Sequence, residues 1–219
     1  MEAIVPLAFV LIVLVLVGGV LLAVLGRKRS AGNFQRLLRS GPGWRQVPGN
    51  ELWRQVRVLR EFASSRGLHD YFHLAGQHRG RSFEAVQYRR PPGLGQRVFT
   101  FGFAVVLPRP VPGPELRLAR SGVFGALGQD LRVASGDPEF DRAYLLTSPD
   151  AEFARRAVPP GLARALLTDE RMKDVVLEFA PDHVVAFRGG SAKPETVLPV
   201  LDLLVDVHGG VPWGELSGR

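Results

Sequence analysis

Ile4 to Leu25 is an uninterrupted run of 22 residues without one charged or polar side chain, and it constrains the chain more than any other feature. As a helix it would span about 33 Å, enough for a hydrocarbon core of about 30 Å. Pro6 falls in the first turn, where its missing N–H costs little. Gly18 and Gly19 sit mid-run without a G-x-x-x-G pattern. A cleaved signal peptide fits poorly. Met1-Glu2-Ala3 holds no base, the run exceeds a usual h-region, and it ends in Leu25-Gly26-Arg27-Lys28-Arg29 with no small-x-small site. The expectation is a single transmembrane anchor over residues 1–26. The basic Arg27, Lys28 and Arg29 follow it, against Glu2 alone before it. The positive-inside rule then predicts a single-pass plasma-membrane protein with its N-terminus outside and the following domain cytoplasmic.

The rest of the chain suits one domain with a real core. There is no cysteine, which excludes disulfides, thiolate metal sites and cysteine nucleophiles. The net charge of +7 is unevenly placed. Residues 1–50 carry net +5, residues 51–110 net +6 and the remainder net −4. Basic charge beside an apolar run suits anionic lipid headgroups better than a nucleic-acid groove, so no nucleic-acid partner is expected.

Residues 27–49 read as a basic juxtamembrane linker, rich in Gly, Pro and Ser, with Arg36 and Arg39 completing the basic cluster. Phe34 to Leu38 is either a short amphipathic piece lying on a membrane or a solvated spacer. Residues 50–219 read as an α+β domain, a mainly antiparallel sheet packed by C-terminal helices. Asn50 caps a predicted helix over Glu51 to Ser65, with Leu52, Val56, Leu59 and Phe62 or Ala63 at helical spacing. Strands are predicted at Leu68 to Leu74, Ser82 to Tyr88 and Arg97 to Leu107. In the last, Phe99, Phe101, Phe103, Val105 and Leu107 alternate to one face. Turn-rich separators at Gly76 to Gly80 and Pro91 to Gly95 suggest a meander. Pro108, Pro110, Pro112 and Pro114 form a stiff spacer to a strand at Leu116 to Ala119. Further strands are predicted at Asp130 to Ala134 and Arg142 to Thr147, around a turn at 136–141. Ser148-Pro149-Asp150 starts a helix to Ala157, and a second helix covers Pro160 to Leu167. Lys173 to Phe179 and His183 to Phe187 form a hairpin. A last helix, Pro194 to His208, buries Val197, Leu201, Leu204, Val205 and His208.

The chemical signals are sparse. His69, Asp70, His73 and His78 cluster, but residues i and i+4 of a strand lie about 13 Å apart, so no zinc site follows. Asp137, Glu139 and Asp141 resemble the start of a calcium loop. The sixth position is Arg142 rather than Gly and the twelfth is Ser148 rather than Glu. Gly122, Gly125 and Gly128 match neither a dinucleotide fingerprint nor a P-loop. No G-x-S-x-G elbow is present. The catalytic residues are therefore unknown, and no cofactor or metal is expected.

The layout of an apolar N-terminal run, aromatic strands ending in Val106-Leu107-Pro108-Arg109-Pro110, then Gly136-Asp137-Pro138-Glu139-Phe140-Asp141-Arg142-Ala143-Tyr144, two helices, a hairpin, a last helix and Val211-Pro212 resembles a group of uncharacterised single-pass membrane proteins of high-GC Gram-positive bacteria. The likeness covers most of Leu68 to Trp213. It implies class and location and assigns no site residue. The function expected first is a non-enzymatic, membrane-tethered interaction or regulatory module. A lipid or small-ligand binding domain is the alternative, and an enzyme comes third.

Overall fold

The computed structural model describes residues 32–48, 72–90, 100–121 and 131–217. Its strands are β1 (Arg45–Gln46), β2 (Phe72–His78), β3 (Arg81–Arg90), β4 (Thr100–Pro108), β5 (Leu116–Arg120), β6 (Tyr144–Thr147), β7 (Val175–Phe179) and β8 (His183–Gly189). They form one sheet in the order β1-β2-β3-β4-β8-β7-β5-β6, with every neighbouring pair antiparallel. The helices are α1 (residues 32–38), α2 (Pro138–Ala143), α3 (Ala151–Ala157), α4 (Pro160–Thr168), α5 (Pro194–Gly210) and α6 (Trp213–Leu216), with a 3₁₀ turn at Glu170–Asp174.

Side chains alternate across a strand, so the register sorts them into two faces. Leu74, Ala85, Val105, Ala186, Leu177, Leu118 and Leu146 are successive cross-strand partners on one face, and all are buried. The helices pack here. Phe34 and Leu37 of α1, Phe140 of α2, Phe153 of α3, Leu166 of α4 and Leu201 and Leu204 of α5 join the same core. A second, smaller cluster lies on the opposite face. It comprises Val86, Tyr88, Ala104, Val106, Ala119, Val176, Val185 and Phe187, all from strands. The alternation expected in β4 therefore holds for Phe103, Val105 and Leu107, but Ala104 and Val106 are buried as well.

The meander expectation holds only from β1 to β4. The β7–β8 hairpin then inserts between β4 and β5. The connection from β4 to β5 must therefore step over two strands, about 14 Å at 4.8 Å per strand, which explains the stiff proline-spaced segment. It is fastened by Arg109 N–H to the Asp182 carbonyl and Gly113 N–H to the Pro181 carbonyl, at the turn of that hairpin. The β2–β3 turn is tighter than expected. Gly76 to His78 continue the strand, and only Arg79 (φ 49°) and Gly80 (φ 77°) turn, both left-handed as a two-residue hairpin loop of this type requires.

Several sequence expectations are corrected. In place of the turn expected at residues 136–141, Pro138–Ala143 is helical. Asp137 caps it, accepting from the Glu139 and Phe140 N–H groups. Strand β6 starts only at Tyr144. Residues 130–134 make no regular strand, only an isolated bridge between Arg132 and Thr147. Asp150 rather than Ser148 caps α3, which begins at Ala151. The Ser148 hydroxyl instead donates to the Glu115 carbonyl. Residues 32–48, read as part of a linker, pack on the sheet. Phe34, Leu37 and Trp44 are buried, and Arg45–Gln46 pairs with β2. The predicted helix Glu51 to Ser65 and the glycine loop Gly122 to Gly128 lie outside the described residues.

The membrane expectations are corrected too. No helix among the described residues is long and apolar enough to cross a membrane. The longest, α5, has 17 residues and carries Glu195, Asp202 and Asp206. It would reach about 25 Å, short of a hydrocarbon core, and its apolar side faces the sheet. The expected single-pass fold and plasma-membrane location are corrected accordingly: what the described residues form is an α+β sheet domain. The Ile4 to Leu25 run lies outside the described residues.

Candidate functional site

A groove of about 480 Å³ opens on the face of the sheet opposite the helices, at the end where β1, β2, β3, β4 and β8 meet. Its floor is Ala75 and Val106, both buried. Pro42 and Gly43 flank it on the β1 side, and Pro108 on the β4 side. Arg45, Gln77, Ser82, Glu84 and His183 supply its polar groups. The register explains this assembly. Arg45 pairs with Ala75, Ala75 with Glu84, Glu84 with Val106, and Pro108 with His183. These neighbours share one face although their strands are remote in sequence.

Glu84 is the pivot. Its Oε2 lies 2.6 Å from Nε2 of the buried His73 on the neighbouring strand. This hydrogen bond holds the Glu84 carboxyl below its ordinary value against the opposing effect of burial, and His183 and Arg45 add to the lowering. The carboxylate is therefore ionised at neutral pH and accepts from His73. His183 is anchored by Nδ1, 2.6 Å from Oδ1 of Asp182. The same face continues to Arg117 and Glu178, cross-strand partners joined at 2.7 and 3.1 Å.

A second constellation sits at the proline-spaced crossover. Arg109 is buried, and its Nη1 donates to the carbonyls of Ala180 (2.6 Å), Pro114 (3.2 Å) and Gly113 (3.3 Å). Its guanidinium carbon lies 5.4 Å from the ring centres of both Phe153 and Trp213. His208 packs against Trp213 and its Nε2 lies 3.1 Å from the Pro108 carbonyl, while Trp213 donates to the His208 carbonyl. Burial pushes the His208 imidazole below its ordinary value. These contacts fasten the crossover and α6 to the end of α5.

The residues singled out by sequence do not converge. His73 bonds Glu84 and His78 bonds Asp202 at 2.7 Å, so the two histidines serve opposite faces of β2. His69 and Asp70 lie outside the described residues. Asp137 is spent on its helix cap, and Asp141 accepts from the Ser135 N–H. Among the described residues no group of three or more His, Cys, Asp or Glu is placed to hold a metal. Of the basic cluster, Arg36 pairs with Glu195 at 3.0 Å and Arg39 is exposed. Arg27, Lys28 and Arg29 lie outside the described residues. Arg45, Glu84 and His183 were missed. The one available signal was Glu84, an acid at a period-two position shared with Val86 and Tyr88.

No family model matches the chain, and no curated protein matches it. Among solved structures it is similar to the mycobacterial trehalose monomycolate transport factor A, TtfA, with a TM-score of 0.54 and 12% identity over 84% of this chain and 90% of that one. At that identity the likeness is one of fold: both chains carry this sheet-and-helix architecture.

Proposed function

We propose that this chain is a non-enzymatic factor in lipid transport that holds part of a lipid-like molecule in the groove between β1 and β8. The observation that carries the reading is the groove itself, an apolar floor of Ala75 and Val106 under a rim of polar side chains. Ligand sites are usually concave, mostly apolar and supplied with a few placed polar groups, within 300–1,000 Å³ or so. The groove's carboxylate and its imidazole are engaged, Glu84 with His73 and His183 with Asp182. That suits holding a ligand better than activating a nucleophile. The shared fold with a transport factor points the same way, and between the two non-enzymatic readings the groove favours ligand binding over a bare protein-docking surface.

The test is native mass spectrometry of the full chain after incubation with a bacterial lipid extract. Lipid adducts are expected, and Ser82→Trp, which places an indole in the groove from an exposed position, should remove them. Absence of adducts, adducts insensitive to Ser82→Trp, or chemical turnover of the lipid would overturn the reading.

A further inference from the structure

We infer that the groove recognises the neutral, polyhydroxylated headgroup of an amphiphile, and discriminates against anionic and cationic headgroups. This rests on the lipid-binding reading above and names the ligand class for that site. The argument is one of charge and of donor and acceptor balance. Two full charges line the groove, Arg45 and Glu84. They lie on strands that flank β2, opposite the same residue, Ala75. Glu84 stays ionised because His73 supports it. A phosphate entering here would gain Arg45 but be driven against a fixed carboxylate. An ammonium would gain Glu84 but meet the guanidinium of Arg45. A polyol meets neither penalty.

The hydrogen-bonding inventory matches it. Glu84 only accepts, Arg45 only donates, and the Ser82 hydroxyl and Gln77 amide do both. A sugar hydroxyl is itself donor and acceptor, so a ring of hydroxyls can answer each of these groups, whereas a phosphate offers acceptors almost alone. Bonds to the two charged partners are the stronger ones. Below the rim, Ala75 and Val106 give the first carbons of an attached chain an apolar contact, with Pro42 and Pro108 at the sides.

The experiment compares three probes with one eight-carbon chain: octyl maltoside, octyl phosphate and octylammonium, each titrated into the full chain below micelle formation and read by calorimetry and by amide shifts. Octyl maltoside is expected to bind about tenfold tighter than either charged probe, with shifts at Ser82, Glu84 and His183. Glu84→Gln should weaken the maltoside about tenfold, as expected for losing a bond to a charged acceptor, and raise affinity for the phosphate. Arg45→Gln should raise affinity for the ammonium. Should Glu84→Gln fail to fold for want of the His73 pair, Ser82→Ala, at an exposed position, should weaken the maltoside about threefold. Equal binding of all three probes, or preference for a charged one, would overturn the headgroup assignment and leave lipid binding standing. No binding of any alkyl probe would overturn both.

Discussion

Trp44→Ala separates a domain that begins at α1 from one preceded by a solvated linker. Trp44 is buried. Its Nε1–H donates to the Gln77 carbonyl at 2.9 Å, and its ring meets Phe83 edge-on at 4.9 Å. It lies so close over Gly41 and Gly76 that a Cβ on Gly76 would come within 2.6 Å of its Cδ1. Truncating a buried aromatic costs about 3–5 kcal/mol. For a domain of this size that lowers Tm by roughly 6–20 °C. Thermal unfolding of the full chain, followed by near-UV circular dichroism and calorimetry, measures it. Gly76→Ala should cost about 1–3 kcal/mol through overpacking, yet much less in the Trp44→Ala background, where the clash is gone. That non-additivity is the specific signature. A Trp44→Ala shift below about 2 °C, or strictly additive effects, would refute the packing of residues 32–48 as part of the core.

Arg109→Met should cost about 2–4 kcal/mol, because it leaves the Ala180, Gly113 and Pro114 carbonyls without their charged donor. Arg109→Lys should recover only part of this, since an ammonium lacks the planar face against Phe153 and Trp213; denaturant midpoints measure both. His208 resists protonation in the folded chain more than an unfolded histidine does. Its contribution to stability is therefore full above about pH 6.5 and is lost as the pH falls through the lowered folded value, by at most about 1.4 kcal/mol per pH unit. His208→Gln should flatten that slope between pH 6.5 and 5, and an unchanged slope would count against the burial argument. Asp137→Ala should cost about 1 kcal/mol by uncapping α2, while calcium or a chelator should leave Tm of the parent chain unmoved. A calcium-dependent rise would restore the loop reading.

What could be read from the sequence was whatever rests on local periodicity. The alternation Phe103, Val105, Leu107 located β4, and the helical stripe Val197, Leu201, Leu204, Val205, His208 located α5 with its buried face correct. Phe140 and Tyr144 are both buried, stacked at 5.0 Å. The errors arose where local chemistry admits two outcomes. Asp137-Pro138 starts a bend or a helix equally well; in the fold Asp137 caps a helix and Phe140 stacks on Tyr144. Trp44, amid Gly41, Pro42 and Gly43, carries no periodic signal, because its partners Gln77 and Phe83 are remote in sequence. The groove was illegible for the same reason. It depends on β8 inserting beside β4, a tertiary event that brings His183 opposite Pro108.

The groove's position follows from the distribution of bulk on that second face. Toward the far ends of β3 and β8 stand Tyr88 and Phe187. The Tyr88 ring lies so close over Gly102 that a Cβ there would meet it at 2.6 Å, and both aromatics are buried. Toward the β2–β3 turn the same face carries Ala75 and Ser82, the sheet's edge is only the two residues of β1, and β4 ends in Pro108, which has no N–H to extend the ladder. Small side chains, a short edge strand and a proline stop coincide at one corner, so the side-chain layer thins there and leaves a concavity. Into that corner the register directs Glu84, which His73 keeps charged. An ionised carboxylate beside buried Val106 is tolerable only where its remaining lone pairs can reach water or a donor. The concavity that a ligand would enter is thus the same opening that lets Glu84 remain an acceptor, and filling it with an apolar side chain should raise the carboxyl's pKa as well as block binding.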